Sequence, residues 1–173
     1  DVRPTEYRGF WRKFDQTKDF PELAGKQLRA WFDFDLPPDG RLLVKVALSS
    51  VSTEGALKNM KAEVPHWNFD RAVRETQDSW RKELNRISIT SRRPEVLTNF
   101  YTAMYHACLS PTVYMDVDRQ YRGLDQNIHS ADGFTNYTTF SLWDTYRALH
   151  PLFNIIQRER SADCVNSMLA HYD

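Results

Sequence analysis

The feature that most constrains this chain is a change of hydrophobic period near Ser52. Before it, Leu28, Ala30, Phe32 and Phe34 alternate with Arg29, Trp31, Asp33 and Asp35, and a second run alternates Val44, Val46 and Leu48 with Lys45, Ala47 and Ser49. A period of two puts one set of side chains on a core face and belongs to strands. Pro37, Pro38, Asp39 and Gly40 lie between the runs and supply the fixed φ and the positive-φ position of a turn, so the pattern predicts an antiparallel hairpin. Two strands alone are marginal in water. The hairpin is therefore expected to belong to a larger sheet or sandwich, part of which precedes Asp1.

After Ser52 the period becomes helical. Ala56, Leu57, Met60 and Val64 form a short stripe that Pro65 closes, because the residue before a proline is pushed out of the helical region. Asn68 is the candidate N-cap of a longer helix in which Phe69, Ala72, Val73, Trp80, Leu84 and Ile87 share a face. Its other face mixes both signs of charge, from Arg71 to Glu83, and reads as surface pairing rather than a binding patch. Ile87 to Ile89 fits a brief strand. Pro94 then opens a third helix whose apolar residues, Leu97, Phe100, Tyr101, Met104, Ala107 and Cys108 with Ala103 and Tyr105 beside them, predict burial on most sides until Pro111 ends it. Residues 111–140 carry no helical period, and so long a stretch points to function or to short irregular strands. Helix resumes near Ser141, Pro151 breaks it or starts the next, and Ala162, Val165, Met168 and Leu169 make a last stripe. That stripe has no cap and the chain has no initiating Met, so both ends read as cuts.

At 173 residues the chain has room for one domain, or one and part of another. With 41% hydrophobic and 13% aromatic residues it is not a disordered chain. Lys plus Arg and Asp plus Glu both number 23, so no field of one sign is available to hold a phosphate backbone or an anionic membrane, and nucleic acid is not an expected partner. The longest apolar runs fall far short of the ~20 residues of a membrane span. Cys108 and Cys164 sit among apolar neighbours in helical patterns, which favours free thiols over a disulfide.

Chemistry concentrates between Ser110 and His150, a stretch with no Lys and no Glu. There Asp116, Asp118, Asp125, Asp132 and Asp144 are interleaved with Tyr114, Tyr121, Phe134, Tyr137, Phe140, Trp143 and Tyr146. Short acids among flat rings suit a sugar: carboxylates accept from adjacent hydroxyls while a ring covers the apolar C–H face. The competing reading is that the rings are core and the acids are turn makers. Asp116 and Asp118 are spaced for calcium, but the helix–loop–helix pattern wants Gly and Glu where Tyr121 and Asn127 stand. The five histidines show no zinc spacing, and Asn136-Tyr137-Thr138 is a bare glycosylation sequon. Asp144 differs in kind. Beside Trp143 and three residues before Arg147, it is either a helix-start acid paired with that arginine or, with the indole, a sugar contact.

The run YTTFSLWDTYRALHPL from Tyr137, together with KNMKAEVPHWNFD from Lys58, FYTAMYHACLSP from Phe100, DVDRQYRGLDQNI from Asp116 and the trailing SMLAHYD, closely resembles glycoside hydrolase family 92, the calcium-dependent exo-acting α-mannosidases. The resemblance covers nearly the whole chain, least so before about Lys26.

It implies an α+β fragment: the end of an amino-terminal β-sandwich over 1–52, linker helices over 53–89, and the first helices of an (α/α)6 barrel over 90–173. It implies an inverting exo-α-mannosidase, with α-1,2 linkages expected, that removes terminal mannose from glycans. Trp143 and Asp144 match the Trp-Asp step associated with holding that mannose. The family's general acid, general base and calcium ligands match nothing here and are expected beyond Asp173, so Asp116, Asp118, Asp125 and Asp144 are not expected to replace them. The implied partners are a mannose-containing glycan and the remainder of the same polypeptide, and the implied location is periplasmic or secreted. A non-catalytic glycan-binding or scaffold domain, or another (α/α)6 glycosidase, are the alternatives.

Overall fold

The computed structural model describes residues 6–12, 15–17, 29–36, 38 and 40–172. The chain divides into two compact units, Asp1–Val44 and Lys45–Asp173. The first is a three-stranded antiparallel sheet in the order β2-β1-β3, built from β1 (Glu6–Arg12), β2 (Asp15–Thr17) and β3 (Arg29–Asp33). The central strand β1 carries a register irregularity between Tyr7 and Gly9 where it meets β3.

The predicted strand thus forms over Arg29–Asp33; Phe34 lies just past its end, and Leu28 lies outside the described residues. Its partner differs from the expectation. Residues 44–48 are extended but irregular and form no strand, so the 28–34/44–48 hairpin does not exist; of its turn, Pro37 and Asp39 lie outside the described residues. Along 44–48 the alternation survives, with the apolar set outward. Val44, Val46 and Leu48 are 72%, 81% and 84% exposed, while Lys45, Ala47 and Ser49 are half-buried. The polar set turns inward because it finds partners: Lys45 Nζ donates to the Val64 carbonyl at 2.6 Å and lies 4.4 Å from the Trp67 ring, and Ser49 reaches Asp116. On β3, likewise, Trp31 is half-buried while Ala30 and Phe32 are exposed. Period two fixes which residues share a face, and what packs against each face decides which is covered.

The second unit is helical with short strands. Helix α1 (Thr53–Glu63) starts where Ser52 Oγ accepts from the Gly55 N–H, and α2 (Phe69–Leu84) where Asn68 Oδ1 accepts from Arg71. Both side chains satisfy N–H groups that have no intrahelical partner. Residues 87–89 form no strand. Pro94 begins α3 (Pro94–Leu109), but this helix buries only Met104 among its residues, so the expected burial on most sides is not met within the described chain. Trp80 of α2 and Tyr105 of α3 meet with ring centroids 4.6 Å apart. Residues 111–140 resolve into two small antiparallel ribbons. One pairs β4 (Thr112–Val113) with β7 (Tyr137–Thr138), and the other pairs β5 (Gln120–Arg122) with β6 (Ile128–Ser130). Three helices follow: α4 (Leu142–Thr145), α5 (Leu149–Ile156), which holds Pro151 in its first turn, and α6 (Arg158–Tyr172).

The core lies where α6, β7 and the end of α3 converge, around Phe153, Tyr137, Cys164 and Met104. Arg160 closes it. Its guanidinium sits 4.9 Å from the Phe153 ring and 5.4 Å from that of Tyr137 and donates to the Cys108 and Pro111 carbonyls, so a cation satisfies the C-terminal end of α3. Both cysteines are free thiols.

Candidate functional site

The chain reaches Trp143 and Asp144 through an unusual turn. Thr139, directly after β7, has φ 68°, a left-handed conformation uncommon for a β-branched residue, and Ser141 then caps α4. The Ser141 carbonyl accepts from the N–H groups of Asp144 (3.0 Å) and Thr145 (3.1 Å) and from the Thr145 hydroxyl (3.0 Å). On this anchored turn Trp143 is 80% exposed, an indole with almost its whole face in water. Asp144 is exposed beside it. Its Oδ2 accepts from Ser141 Oγ at 2.6 Å, and Oδ1 has no partner among the described residues.

The alternative role for Asp144, pairing with Arg147, does not occur. Arg147 Nε donates instead to the Tyr146 hydroxyl at 3.1 Å, with its guanidinium 5.4 Å from that ring. An exposed indole followed in the chain by a carboxylate with a free oxygen supplies the two contacts a pyranose takes, ring against C–H face and oxygen against hydroxyl. Ser141 was not among the residues singled out, although its Ser-x-x-Asp spacing is a helix-start signal.

The other acids are occupied elsewhere. Asp116 is buried, accepting from Ser49 Oγ (2.6 Å) and Asn59 Nδ2 (2.8 Å), while Asn59 Oδ1 accepts from the Val117 N–H. Asp118 pairs with Lys58 at 2.6 Å, a hydrogen bond that lowers the carboxyl pKa and raises that of the amine. Asp125 accepts from His129 Nε2 and from Asn127, which hold its carboxyl down at about 2. Asp132 accepts from Ser130 Oγ. Asp125 and Asp132 bond within their own turns, Asp116 and Asp118 tie distant segments together, and the sugar reading is left with Asp144.

Calcium asks for several oxygens converging on one point. No three His, Cys, Asp or Glu residues gather for a metal among the described residues, and the carboxylates above face different partners in different turns. The donor set of these residues does not fit a calcium ion. The sequon asparagine is equally committed: Asn136 is wholly buried, with Nδ2 donating to the Tyr114 carbonyl.

A cavity of about 570 Å³ lies between the end of α2 and the α5–α6 junction and includes neither Trp143 nor Asp144. Its polar groups neutralise one another. Glu83 pairs with Arg86 at 2.7 Å, which lowers the acid's pKa, and accepts from Gln157.

A family GH92 α-mannosidase of Bacteroides thetaiotaomicron is 42% identical and matches over 98% of this chain and 23% of its own, with a TM-score of 0.79. A family GH92 inverting mannosidase from the same organism is 24% identical over 99% of this chain and 24% of its own, with a TM-score of 0.86, a likeness of fold. An uncharacterized secreted glycosidase of Arthroderma benhamiae is 28% identical over 78 residues, 43% of this chain and 10% of its own. The chain thus spans about a quarter of the solved relatives' length and a tenth of the fungal one's. Residues 55–173 match the model of the glycosyl hydrolase family 92 catalytic domain, and with more than half its length inside that domain the chain belongs to family 92.

Proposed function

We propose that this chain forms one wall of the mannose site of an exo-acting, inverting α-mannosidase, with Trp143 stacking on the terminal sugar and Asp144 accepting from its hydroxyls. The observation that carries the proposal is the pairing of an almost fully exposed indole with a carboxylate whose Oδ1 is unpartnered among the described residues. An exposed ring and an unused acceptor on consecutive residues offer a sugar both kinds of contact it takes. Family membership supplies the substrate class, and a solved relative 42% identical has been captured in complex with mannoimidazole.

In this reading residues 1–52 end a β-sandwich, 53–89 are linker helices, and 90–173 begin an (α/α)6 barrel. The acid and base of an inverting hydrolase are carboxyl groups on opposite sides of the sugar. They, and the ligands of the calcium that belongs to the family's chemistry, come from the rest of a longer polypeptide. Terminal mannose on N-glycans, with α-1,2 linkages first, is the proposed substrate, and a periplasmic or secreted location agrees with the fungal relative's description as secreted.

The test uses the complete enzyme carrying this chain and compares 4-nitrophenyl α-mannoside with the α-glucoside. The mannoside is expected to be turned over and the glucoside not. Trp143→Ala is expected to lower kcat/KM about tenfold, equivalent to about 1.4 kcal/mol of lost stacking. An unchanged value would remove Trp143 from the site. The 173-residue chain alone is expected to show no hydrolysis; turnover abolished by replacing Asp116, Asp118, Asp125 or Asp144 would place the chemistry here after all.

A further inference from the structure

We propose that Ser141 is the positioning residue of the sugar-binding carboxylate: its hydroxyl holds Asp144 by Oδ2 and leaves a single oxygen, Oδ1, for the sugar. The inference rests on the reading of Asp144 as a mannose contact. The sequence Ser141-Leu142-Trp143-Asp144 has the spacing of a helix-start box, in which an N-cap hydroxyl accepts from the N–H of the third helical residue. The structure departs from that pattern. Ser141 makes no side-chain capping bond, and its Oγ donates to Asp144 Oδ2 at 2.6 Å, the short range of a hydroxyl on an ionised carboxylate.

The hydroxyl is free for this because the backbone does the capping. The Asp144 and Thr145 N–H groups are already met by the Ser141 carbonyl. That same carbonyl, with the Thr145 hydroxyl also bound to it, fixes the backbone from which the serine side chain springs. No other group among the described residues bonds to the Asp144 carboxylate. Arg147, the cation nearest in sequence, is engaged with Tyr146, so without the serine hydroxyl the carboxylate has no tether among the described residues. A two-torsion side chain beside an open indole would then sample several directions, and the sugar would have to order it on binding.

The experiment is a kinetic cycle in the complete enzyme on 4-nitrophenyl α-mannoside. Ser141→Ala is expected to raise KM about three- to tenfold with kcat within twofold, the signature of lost uniform binding. Ser141→Thr, which keeps the hydroxyl, should restore KM, and both variants should melt within about 1 °C of the parent because no helix bond is lost. In an Asp144→Ala background, Ser141→Ala should change nothing further. A normal KM in Ser141→Ala with a defective Asp144→Ala overturns the positioning role and leaves the mannose reading intact, as does a Thr variant as impaired as Ala. A normal Asp144→Ala overturns the mannose reading and the inference with it.

Discussion

Asp116 shows how far a single carboxylate reaches in this chain. It accepts from Ser49, which precedes α1, and from Asn59 within α1, and Asn59 Nδ2 also donates to the Leu48 carbonyl. A Cβ placed on Gly55 would lie 2.1 Å from Asp116 Oδ2 and 2.8 Å from Ser49 Oγ. Glycine stands in that helix because the acid comes too close for anything larger. Asp116→Ala strands two donors, at a cost of about 2–4 kcal/mol. Gly55→Ala, which in an exposed helix would stabilise by about 1 kcal/mol, is expected to destabilise instead. Urea unfolding of the two variants reads both signs. Asp125 gives a pH prediction. Its carboxyl is held near 2 in the folded hairpin, chiefly by the His129 hydrogen bond, against about 3.8 ordinarily. A depressed folded pKa contributes stability above the ordinary value, and that contribution is lost as pH falls from about 4 through about 2. In a carboxyl NMR titration, His129→Ala should move the Asp125 midpoint back toward the ordinary range.

Elements whose cause is local were legible in the sequence. Asn68 and Pro94 mark the starts of α2 and α3, and Pro111 follows the end of α3, because capping oxygens and missing N–H groups act within one turn. The run 44–48 was not, since its fate depends on whether Lys45 and Ser49 find acceptors some 20 and 70 residues away, at Val64 and Asp116. Alternation alone separates the two faces without saying which is covered, and here it is the face of Lys45, Ala47 and Ser49. The same limit applies to α3, whose apolar width predicts cover that the described residues do not supply. At the candidate site, Trp143 and Asp144 stand out first as a ring and an acid at a helix start and again in the resemblance, and the structure places both in solvent. The Ser141 tether was readable only as a spacing, because a hydroxyl three residues before an acid can equally bond a backbone N–H.

Large apolar side chains reach solvent across the second unit: Leu142, Ile155, Leu169 and Tyr172 on the last three helices are exposed together with Trp143. Expressed alone, the 173 residues are expected to bind a hydrophobic dye strongly and to self-associate, as seen by fluorescence and light scattering, and the complete enzyme to do neither.

The Asp116 carboxylate also sets an order on biosynthesis. The groups it fastens, Ser49 and Asn59, leave the ribosome 67 and 57 residues earlier, and at about 5–20 residues per second they wait several seconds for it. During that interval the segment before α1 keeps its bonds from Asn59 to Leu48 and from Lys45 to Val64 but lacks the carboxylate that joins Ser49 to Asn59. Nascent chains arrested just short of Asp116 should therefore be cut by protease around residues 45–52, and chains arrested well past it should resist.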